Sequence, residues 1–159
     1  MTDTNRIAEL ILDDTGLPAP TPEVEQERKV AIFDLLEDNR FGLADERAPD
    51  GPYRLDLSVV ESRLVFDTYT ENGDAAGAFH LSLSPFRQVI RDYFQICQSY
   101  FDAVKRLPPA QIEAIDMGRR GIHDEGARTL LERLDGKIET DMGTARRLFT
   151  LICVLHFKG

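Results

Sequence analysis

Residues 53–82 read YRLDLSVVESRLVFDTYTENGDAAGAFHLS, and apolar and polar residues alternate along most of this stretch. Alternation with a period of two is typical of strands that bury one face and expose the other. The dipeptide Asn72-Gly73 interrupts the alternation and favours a two-residue hairpin turn, which sets Glu71 opposite Asp74. The sequence therefore predicts a hairpin whose pairing register can be counted outward from this turn.

The predicted register places apolar side chains on one face of three antiparallel strands. A second tight turn, near Glu61 and Ser62, joins the first strand of the stretch to the second. The apolar pairs counted from the two turns are Phe66 with Phe79, Leu64 with Leu81, Leu57 with Phe66, and Val59 with Leu64. The opposite face is largely polar, so we expect a β-meander with one face available for covering by helices.

The segments outside the meander contain mostly helix signals. Residues 7–12 are predicted to form a strand that borders or joins the meander, residues 16–22 a proline-rich connector to the first helix, and residues 41–52 a loop. The expected helices run from Thr21-Pro22 to about Asn39, from Ser84-Pro85 to before Pro108, from Pro109 to about Leu134 with Gly136 as a stop, and from a cap at Thr140 or Asp141.

Strands followed by helices, without regular alternation, indicate an α+β fold. We predict an antiparallel β-meander of three to four strands with one apolar face covered by four helices. The length of 159 residues and the apolar fraction of 42% fit one domain, residues 1–159.

The chain carries a formal charge of −9, and its acidic residues are concentrated in the first half. Residues 1–74 contain 18 acidic and 7 basic residues, whereas residues 105–159 contain 8 acidic and 10 basic residues. Binding to nucleic acid depends on clustered Lys and Arg, so no nucleic-acid partner is expected. The acidic surface has two interpretations, recognition of a basic protein partner or simple solubility.

Cys97 and Cys153 are the two cysteines, and each lies among apolar residues of a predicted helix. This setting favours buried free thiols over a disulfide or a metal pair and indicates a reducing compartment. No signal-peptide pattern begins the sequence, and no apolar run reaches the length of a membrane span. We therefore predict a cytoplasmic protein with no membrane partner.

The segment 148–157 is apolar except for Thr150 and His156. A helix that is apolar on nearly every side has to be covered by protein. The covering surface is either the core of the same chain or a second copy, so a homodimer through the C-terminal helix is an open alternative.

Charged residues fall within the apolar arc of the predicted helix 109–134. Arg119 and His123 lie in this arc and Asp116 lies at its edge, where spacings of three and four residues bring Asp116 near Arg119 and Arg120. A charge buried there needs a partner, because uncompensated burial costs several kcal/mol per ion. Arg28 has a similar position on the first helix, so we expect one ionic network between the two helices.

This network is open to three interpretations, and Glu27 or Glu125 could complete it. The first is a salt-bridge network that fixes the packing of the helices. The second is a pocket for phosphate or carboxylate, built from Arg28, Asp116, Arg119, Arg120, His123 and Glu125. The third is catalysis by His123 with Asp124 or Glu125.

Three glycines, Gly118, Gly121 and Gly126, lie in the same predicted helix. Each glycine in a helix interior lowers the stability of the helix by about 1 kcal/mol relative to alanine. Close approach of another part of the chain, a bound ligand, or a break in the helix between Gly118 and Gly121 would each explain them.

The polar face of the meander offers a second site hypothesis. The predicted register sets Asp56 directly opposite Asp67, with His80 diagonal to Asp67, and like charges in this position destabilise a strand pair. A divalent cation held by these three residues would relieve the repulsion. A neighbouring arginine such as Arg54, a raised carboxyl pKa or solvent would also relieve it.

Three runs of the sequence read TPEVEQERKVAIFDLLEDN, GPYRLDLSVVESRLVFD and MGRRGIHDEGARTLLERLDGKI. They resemble a bacterial group, uncharacterised protein family 262, and the resemblance extends over nearly the whole chain. The resemblance implies a short cytoplasmic protein of one domain. It implies no activity, cofactor or catalytic residue for this chain, because none is established for the family.

No phosphate-binding glycine loop, dinucleotide fingerprint, zinc-binding helix motif or nucleophile elbow occurs in the sequence. We therefore assign no catalytic residue, expect no cofactor, and leave enzymatic activity open. The preferred hypothesis is a protein-interaction or regulatory module, in which the acidic N-terminal half and the polar sheet face recognise another protein. The alternative is a small-anion-binding domain, a sensor or a hydrolase, centred on Arg119 and His123.

Overall fold

The computed structural model describes residues 4–156, in which four strands form one mixed sheet. These strands are β1 (Ile7–Leu12), β3 (Tyr53–Val60), β4 (Arg63–Thr70) and β5 (Ala75–Ser82), and they lie in the order β1, β3, β4, β5. The predicted α+β fold is confirmed. The sheet is not purely antiparallel, because β1 runs parallel to β3. A parallel neighbour requires a crossover connection, and a helix lies between these two strands in the chain.

The pairing register of the meander is confirmed at the four predicted apolar pairs. The turn between β3 and β4 consists of Glu61 and Ser62, which both have positive φ, 50° and 62°. Positive φ at both central residues is the geometry of a type I′ hairpin turn, which matches the twist of the strands.

The turn at Asn72-Gly73 differs from the expectation. Thr70, not Glu71, lies opposite Asp74: the Thr70 amide donates to the Asp74 carbonyl oxygen at 2.8 Å, and the Gly73 amide donates to the Thr70 carbonyl at 3.0 Å. This is a three-residue loop in which only Gly73 has positive φ, 88°. A register shift between Thr68 and Tyr69 then offsets the extra loop residue, which is why the predicted pairs deeper in the sheet are still correct.

Four helices provide most of the remaining structure: α1 (Pro22–Glu37), α2 (Arg87–Arg106), α3 (Pro109–Leu134) and α4 (Met142–Leu155). The side chains of Thr21 and Asp141 cap α1 and α4 by accepting from Val24 N and Thr144 N. A 3-10 turn at Ser84–Phe86 precedes α2, so the predicted start at Ser84-Pro85 lies in that turn. The proline pair at Pro108-Pro109 separates α2 from α3 as expected, and α3 is continuous through Gly118 and Gly121.

A second, two-stranded sheet was not predicted. Strand β2 (Phe41–Leu43) lies within the segment expected to be a loop, and it pairs antiparallel with β6 (Ile138–Thr140). Three residues are too few to show a period of two, so neither strand has a local signal. Their pairing joins the end of α1 to the connection between α3 and α4.

Helix α4 lies in the core. Its residues from Leu148 to Leu155 are all buried, and the same core includes the apolar face of the sheet and residues of the other three helices. The chain itself therefore covers the apolar C-terminal helix, and its composition does not require a second copy. Among residues 4–156, no helix is both long and apolar enough to cross a membrane.

Candidate functional site

The four helices meet around Arg119 of α3. This side chain contacts α1 through Glu27 and α2 through Tyr100, while His123 on the next turn of α3 reaches Thr150 of α4. Arg119 and His123 have the helical spacing expected of them, because α3 is unbroken over this region. We call this group the four-helix polar cluster; its members are Glu27, Tyr93, Cys97, Tyr100, Asp116, Arg119, His123 and Thr150.

Asp116 binds both arginines of α3. Its Oδ1 accepts from Arg119 Nη2 at 2.6 Å and from Arg119 Nε at 3.1 Å, and its Oδ2 lies 2.8 Å from Arg120 Nη2. The hydrogen bond from Arg119 lowers the pKa of Asp116. Burial alone would lower the pKa of Arg119, but the hydrogen bond to Asp116 and its charge leave that pKa raised. Both groups are therefore ionised at neutral pH. The contacts of Asp116 with Arg119 and Arg120 are those that the spacing of three and four residues predicted.

Glu27 is the carboxylate that α1 contributes. Its Oε1 lies 3.8 Å from Arg119 Nη1 and 3.9 Å from Cys97 Sγ. Burial raises the pKa of Glu27, while the charge of Arg119 and hydrogen bonds from Cys97 and Tyr93 oppose that rise. A partly buried carboxylate with a raised pKa occurs in structural ion-pair networks as well as in functional sites.

The guanidinium group of Arg119 also lies over an aromatic ring. Its Cζ is 4.4 Å from the centroid of the Tyr100 ring. A cation in this position is attracted by the face of the ring, with a gain of about 0.5–2 kcal/mol. Arg119 thus has a partner on α1, on α2 and within α3, and it holds these three helices together.

His123 lies deeper than Arg119, between aromatic rings. The centroid of its ring is 5.5 Å from that of Tyr93 and 5.8 Å from that of Phe149, and its Nε2 lies 2.8 Å from Thr150 Oγ1. Because the Thr150 hydroxyl donates to the Arg146 carbonyl at 3.3 Å, the neutral imidazole donates from Nε2 to Thr150. Burial lowers the pKa of His123, so the ring is neutral at neutral pH.

The two cysteines are free and buried, as predicted. Burial, followed by the negative charge of Glu27, raises the pKa of Cys97 to about 12, and burial raises the pKa of Cys153. The thiolate is the reactive form of cysteine, and a raised pKa suppresses it. Cys97 and Cys153 therefore act as packing residues, and Cys97 adds a weak hydrogen bond to Glu27.

Two residues expected in this network lie outside it. Arg28 binds Asp14 at 2.7 Å and lines a cavity of about 150 Å³ with Leu17, Pro20 and Val154. Glu125 is exposed, and within the described part of the chain no ion pair includes it. The network is completed by Glu27, one of the two carboxylates considered from the sequence.

Anion binding at Arg28, Arg119 and Arg120 stays a prediction. Each of these arginines is already paired with a carboxylate of the chain. Catalysis by His123 with Asp124 meets a similar obstacle, because Asp124 binds Arg146 at 2.7 Å. The geometry therefore fits the structural interpretation of the cluster best.

On the polar sheet face, Asp56 lies opposite Asp67, as the register predicted. Arg54 relieves the repulsion: its Nε lies 2.9 Å from Asp56 Oδ1, and its Cζ lies 4.2 Å from the centroid of the Tyr69 ring. His80 is exposed on the edge strand. Throughout residues 4–156, no group of three or more His, Cys, Asp or Glu side chains is arranged to hold a metal ion.

One surface was not anticipated from the sequence. Three apolar residues of α1 are exposed, at 46% for Val30, 65% for Phe33 and 39% for Leu36. We call them the α1 apolar surface. The sequence carries one signal for this surface, which is that α1 has apolar residues on two opposite sides. Ala31 and Leu35 lie on the buried side, and the α1 apolar surface lies on the exposed side.

Comparison with known proteins gives a family match over residues 4–158, to the uncharacterised protein family UPF0262. The chain is similar to a UPF0262 protein of Ruegeria sp. strain TM1040, with 69% identity over 98% of this chain and 99% of the relative. It is also similar to a UPF0262 protein of Jannaschia sp. strain CCS1, with 70% identity over 95% of this chain and 97% of the relative. No solved structure matches.

Proposed function

The chain belongs to the uncharacterised protein family UPF0262, and we propose that it is a protein-interaction module that binds a basic partner through the α1 apolar surface. The observation that carries the proposal is the exposure of Phe33, 65%, between two further exposed apolar residues on one helix.

The spacing of these residues supports a contact surface. Val30, Phe33 and Leu36 follow one another at intervals of three, so they lie along adjoining turns of α1. Single exposed apolar residues are ordinary, but neighbouring ones on one helix form a patch that a partner can cover. A large aromatic residue in the middle of such a patch is a common energetic centre of protein interfaces.

The charge of the surroundings supports a basic partner. Helix α1 contains five acidic residues against two basic ones, Arg28 and Lys29, and the segment 1–74 has 18 acidic residues against 7 basic ones. Complementary charge speeds association and excludes partners of the wrong sign. The partner that fits is an amphipathic segment with apolar residues on one side and Lys or Arg around them.

A pair of synthetic helical peptides tests this proposal. The first peptide has leucines on one face and lysines on the other, and the second has glutamates in place of the lysines. We expect the lysine peptide to bind the protein, more weakly as salt increases, and the glutamate peptide not to bind. Isothermal titration calorimetry measures both.

Two variants separate this surface from general attraction between opposite charges. Phe33→Ser is expected to weaken binding of the lysine peptide about tenfold, which corresponds to about 1.4 kcal/mol. Met117→Ser is the matched control, because Met117 is 64% exposed on a different helix, and it should leave binding unchanged. Equal binding of the peptide to the wild type and to Phe33→Ser would refute the proposal.

A further inference from the structure

The last turn of helix α2 carries exposed apolar residues beside basic ones. Val104 is 54% exposed and Leu107 is 40% exposed, and they lie three residues apart, so they share one side of the helix. Lys105 and Arg106 lie between them in the chain and are also exposed. Over residues 4–156, neither basic side chain has an ion-pair partner. We call these four residues the α2 end.

The packing of α2 against the protein core stops just before this point. Ala103 is buried, whereas every residue from Val104 to Pro109 is exposed. Lys and Arg in a last turn suit the partial negative charge of a helix C-terminus. That charge does not account for the two apolar residues beside them, whose side chains meet water in a single copy.

Among residues 4–156, eight large apolar side chains are exposed. Three form the α1 apolar surface and two lie in the α2 end, while Ile11, Val60 and Met117 lie on three different elements. In the described part of the chain, the α2 end is therefore the one place outside α1 where two such residues adjoin. It is also basic, which is the chemistry of the partner proposed for α1.

We infer that the α2 end of one copy of this chain covers the α1 apolar surface of a second copy, an inference that rests on the proposed function. The α2 end supplies a helical segment with apolar residues on one side and Lys and Arg beside them, and an amphipathic helix binds an apolar surface in this way. Both surfaces are small, so the contact between copies is weak. A basic partner that makes more contacts with α1 displaces the second copy.

The charges on the exposed side of α1 agree with this contact. Glu37 is exposed and lies four residues after Phe33, so it is on the same side of the helix. Lys29, four residues before Phe33, lies 3.9 Å from Glu25. Glu37 has no ion-pair partner within residues 4–156. The unpaired charge on this side is therefore negative, and the α2 end brings the complementary charge.

Mixing two variants tests the inference. Because the two surfaces differ, a variant altered in one of them keeps the other intact. Phe33→Ser alters α1, and the double variant Val104→Ser/Leu107→Ser alters the α2 end. We expect the wild type to self-associate at high concentration in analytical ultracentrifugation, and each variant to do so about tenfold more weakly. An equimolar mixture of the two variants should form a one-to-one complex.

The matched control is the double variant Val60→Ser/Met117→Ser, which alters two exposed apolar residues outside both surfaces. It should self-associate as the wild type does. Circular dichroism and a thermal melt establish that each variant is folded. A monomeric wild type at every soluble concentration, undiminished self-association of either test variant, or a mixture that does not combine would each overturn the inference.

The lysine peptide separates failure of this inference from failure of the proposed function. The peptide should dissociate the wild-type assembly by competing for α1, and it should still bind Val104→Ser/Leu107→Ser. Peptide binding to a wild type that is always monomeric would overturn the inference and leave the proposed function standing. Self-association with the expected pattern of variants, but without peptide binding, would support the contact between copies and refute the separate basic partner.

Discussion

The four-helix polar cluster and the α1 apolar surface are opposite kinds of exception to the usual distribution of residues. In the cluster, ionic side chains lie within the protein, and the chain itself supplies their partners, as Asp116 and Glu27 do for Arg119. On α1, apolar side chains lie in water, and Phe33 is 65% exposed. A buried ion whose partners lie in its own chain is accounted for within the chain, because removing one partner would leave an uncompensated charge. The exposed ring of Phe33 is where the proposed partner would make contact.

The largest effect on stability is expected where the cluster is most tightly packed. A Cβ at Gly126 would collide with the ring of Phe149, which is fully buried and lies beside His123. Gly126→Ala should therefore lower the free energy of unfolding by about 1–3 kcal/mol or more. Urea unfolding followed by circular dichroism measures the change.

Gly121→Ala is the control on the same helix. Nothing lies within 4 Å of a Cβ at Gly121, so alanine should stabilise the helix by up to about 1 kcal/mol. Destabilisation by both substitutions would mean that the cluster is no more closely packed than the rest of α3. Of the explanations considered for the three glycines, close approach applies to Gly126, and the helix is not broken at the other two.

A smaller loss is expected from Arg119→Met, which keeps the apolar stem of the side chain and removes its charge. Glu27 and Asp116 then lose a partner while they remain largely shielded from water. We expect the free energy of unfolding to fall by about 2 kcal/mol. Breaking a fully buried pair costs roughly 3–5 kcal/mol, and the effect here is smaller because these side chains retain some contact with solvent.

Arg146→Met provides the comparison for a surface pair. Arg146 binds Asp124 at 2.7 Å, but both side chains are more exposed than those of Arg119 and Asp116. Loss of this ion pair should lower the free energy of unfolding by about 0–1 kcal/mol. Equal losses for the two variants would remove the distinction between the cluster and an ordinary surface ion pair.

The raised pKa of Glu27 predicts a specific dependence of stability on pH. Because the folded state favours the protonated carboxyl, the contribution of Glu27 is complete below the usual pKa of 4.5 and is lost as pH rises through the raised pKa. Glu27→Gln is neutral at every pH. The stability of this variant relative to the wild type should therefore increase as pH rises above 4.5, and urea unfolding from pH 4 to 8 measures it. A difference that is independent of pH would contradict the raised pKa.

The smallest effect on stability is expected on the α1 apolar surface. Phe33→Ser removes a ring that is mostly in water, so the free energy of unfolding should change by no more than about 0.5 kcal/mol. The same variant is expected to bind the lysine peptide about tenfold more weakly. A large loss of stability would show that Phe33 belongs to the core, and the contrast with the cluster would fail.

The sheet was largely predictable because its signals are local. Alternation along residues 53–82 gave the correct apolar pairs, and the two positive-φ residues Glu61 and Ser62 form the expected tight turn. The loop at Asn72-Gly73 was predicted one residue too short. The compensating register shift depends on how Ala75 and Ala76 fit against β4, and the dipeptide alone carries no information about that fit.

The partners in the cluster were only partly predictable. The spacing along α3 correctly predicted that Asp116 contacts Arg119 and Arg120, because residues three and four apart share a helix face. The partner from α1 is Glu27, not Arg28, and Glu27 meets Cys97 across 70 residues of chain. One residue turns the helix by about 100°, so a small change in how α1 rotates decides which side chain faces inward.

By itself, the sequence determined the α+β class, the apolar pairs of the meander and the approximate helix boundaries, because turn chemistry, caps and periodicity act over a few residues. Only the tertiary structure decided the β2–β6 pairing, the burial of α4, the choice of Glu27 and the exposure of Phe33. These features depend on which surfaces meet when segments far apart in the chain pack together. Such contacts follow from the shape of the whole core and leave no local pattern.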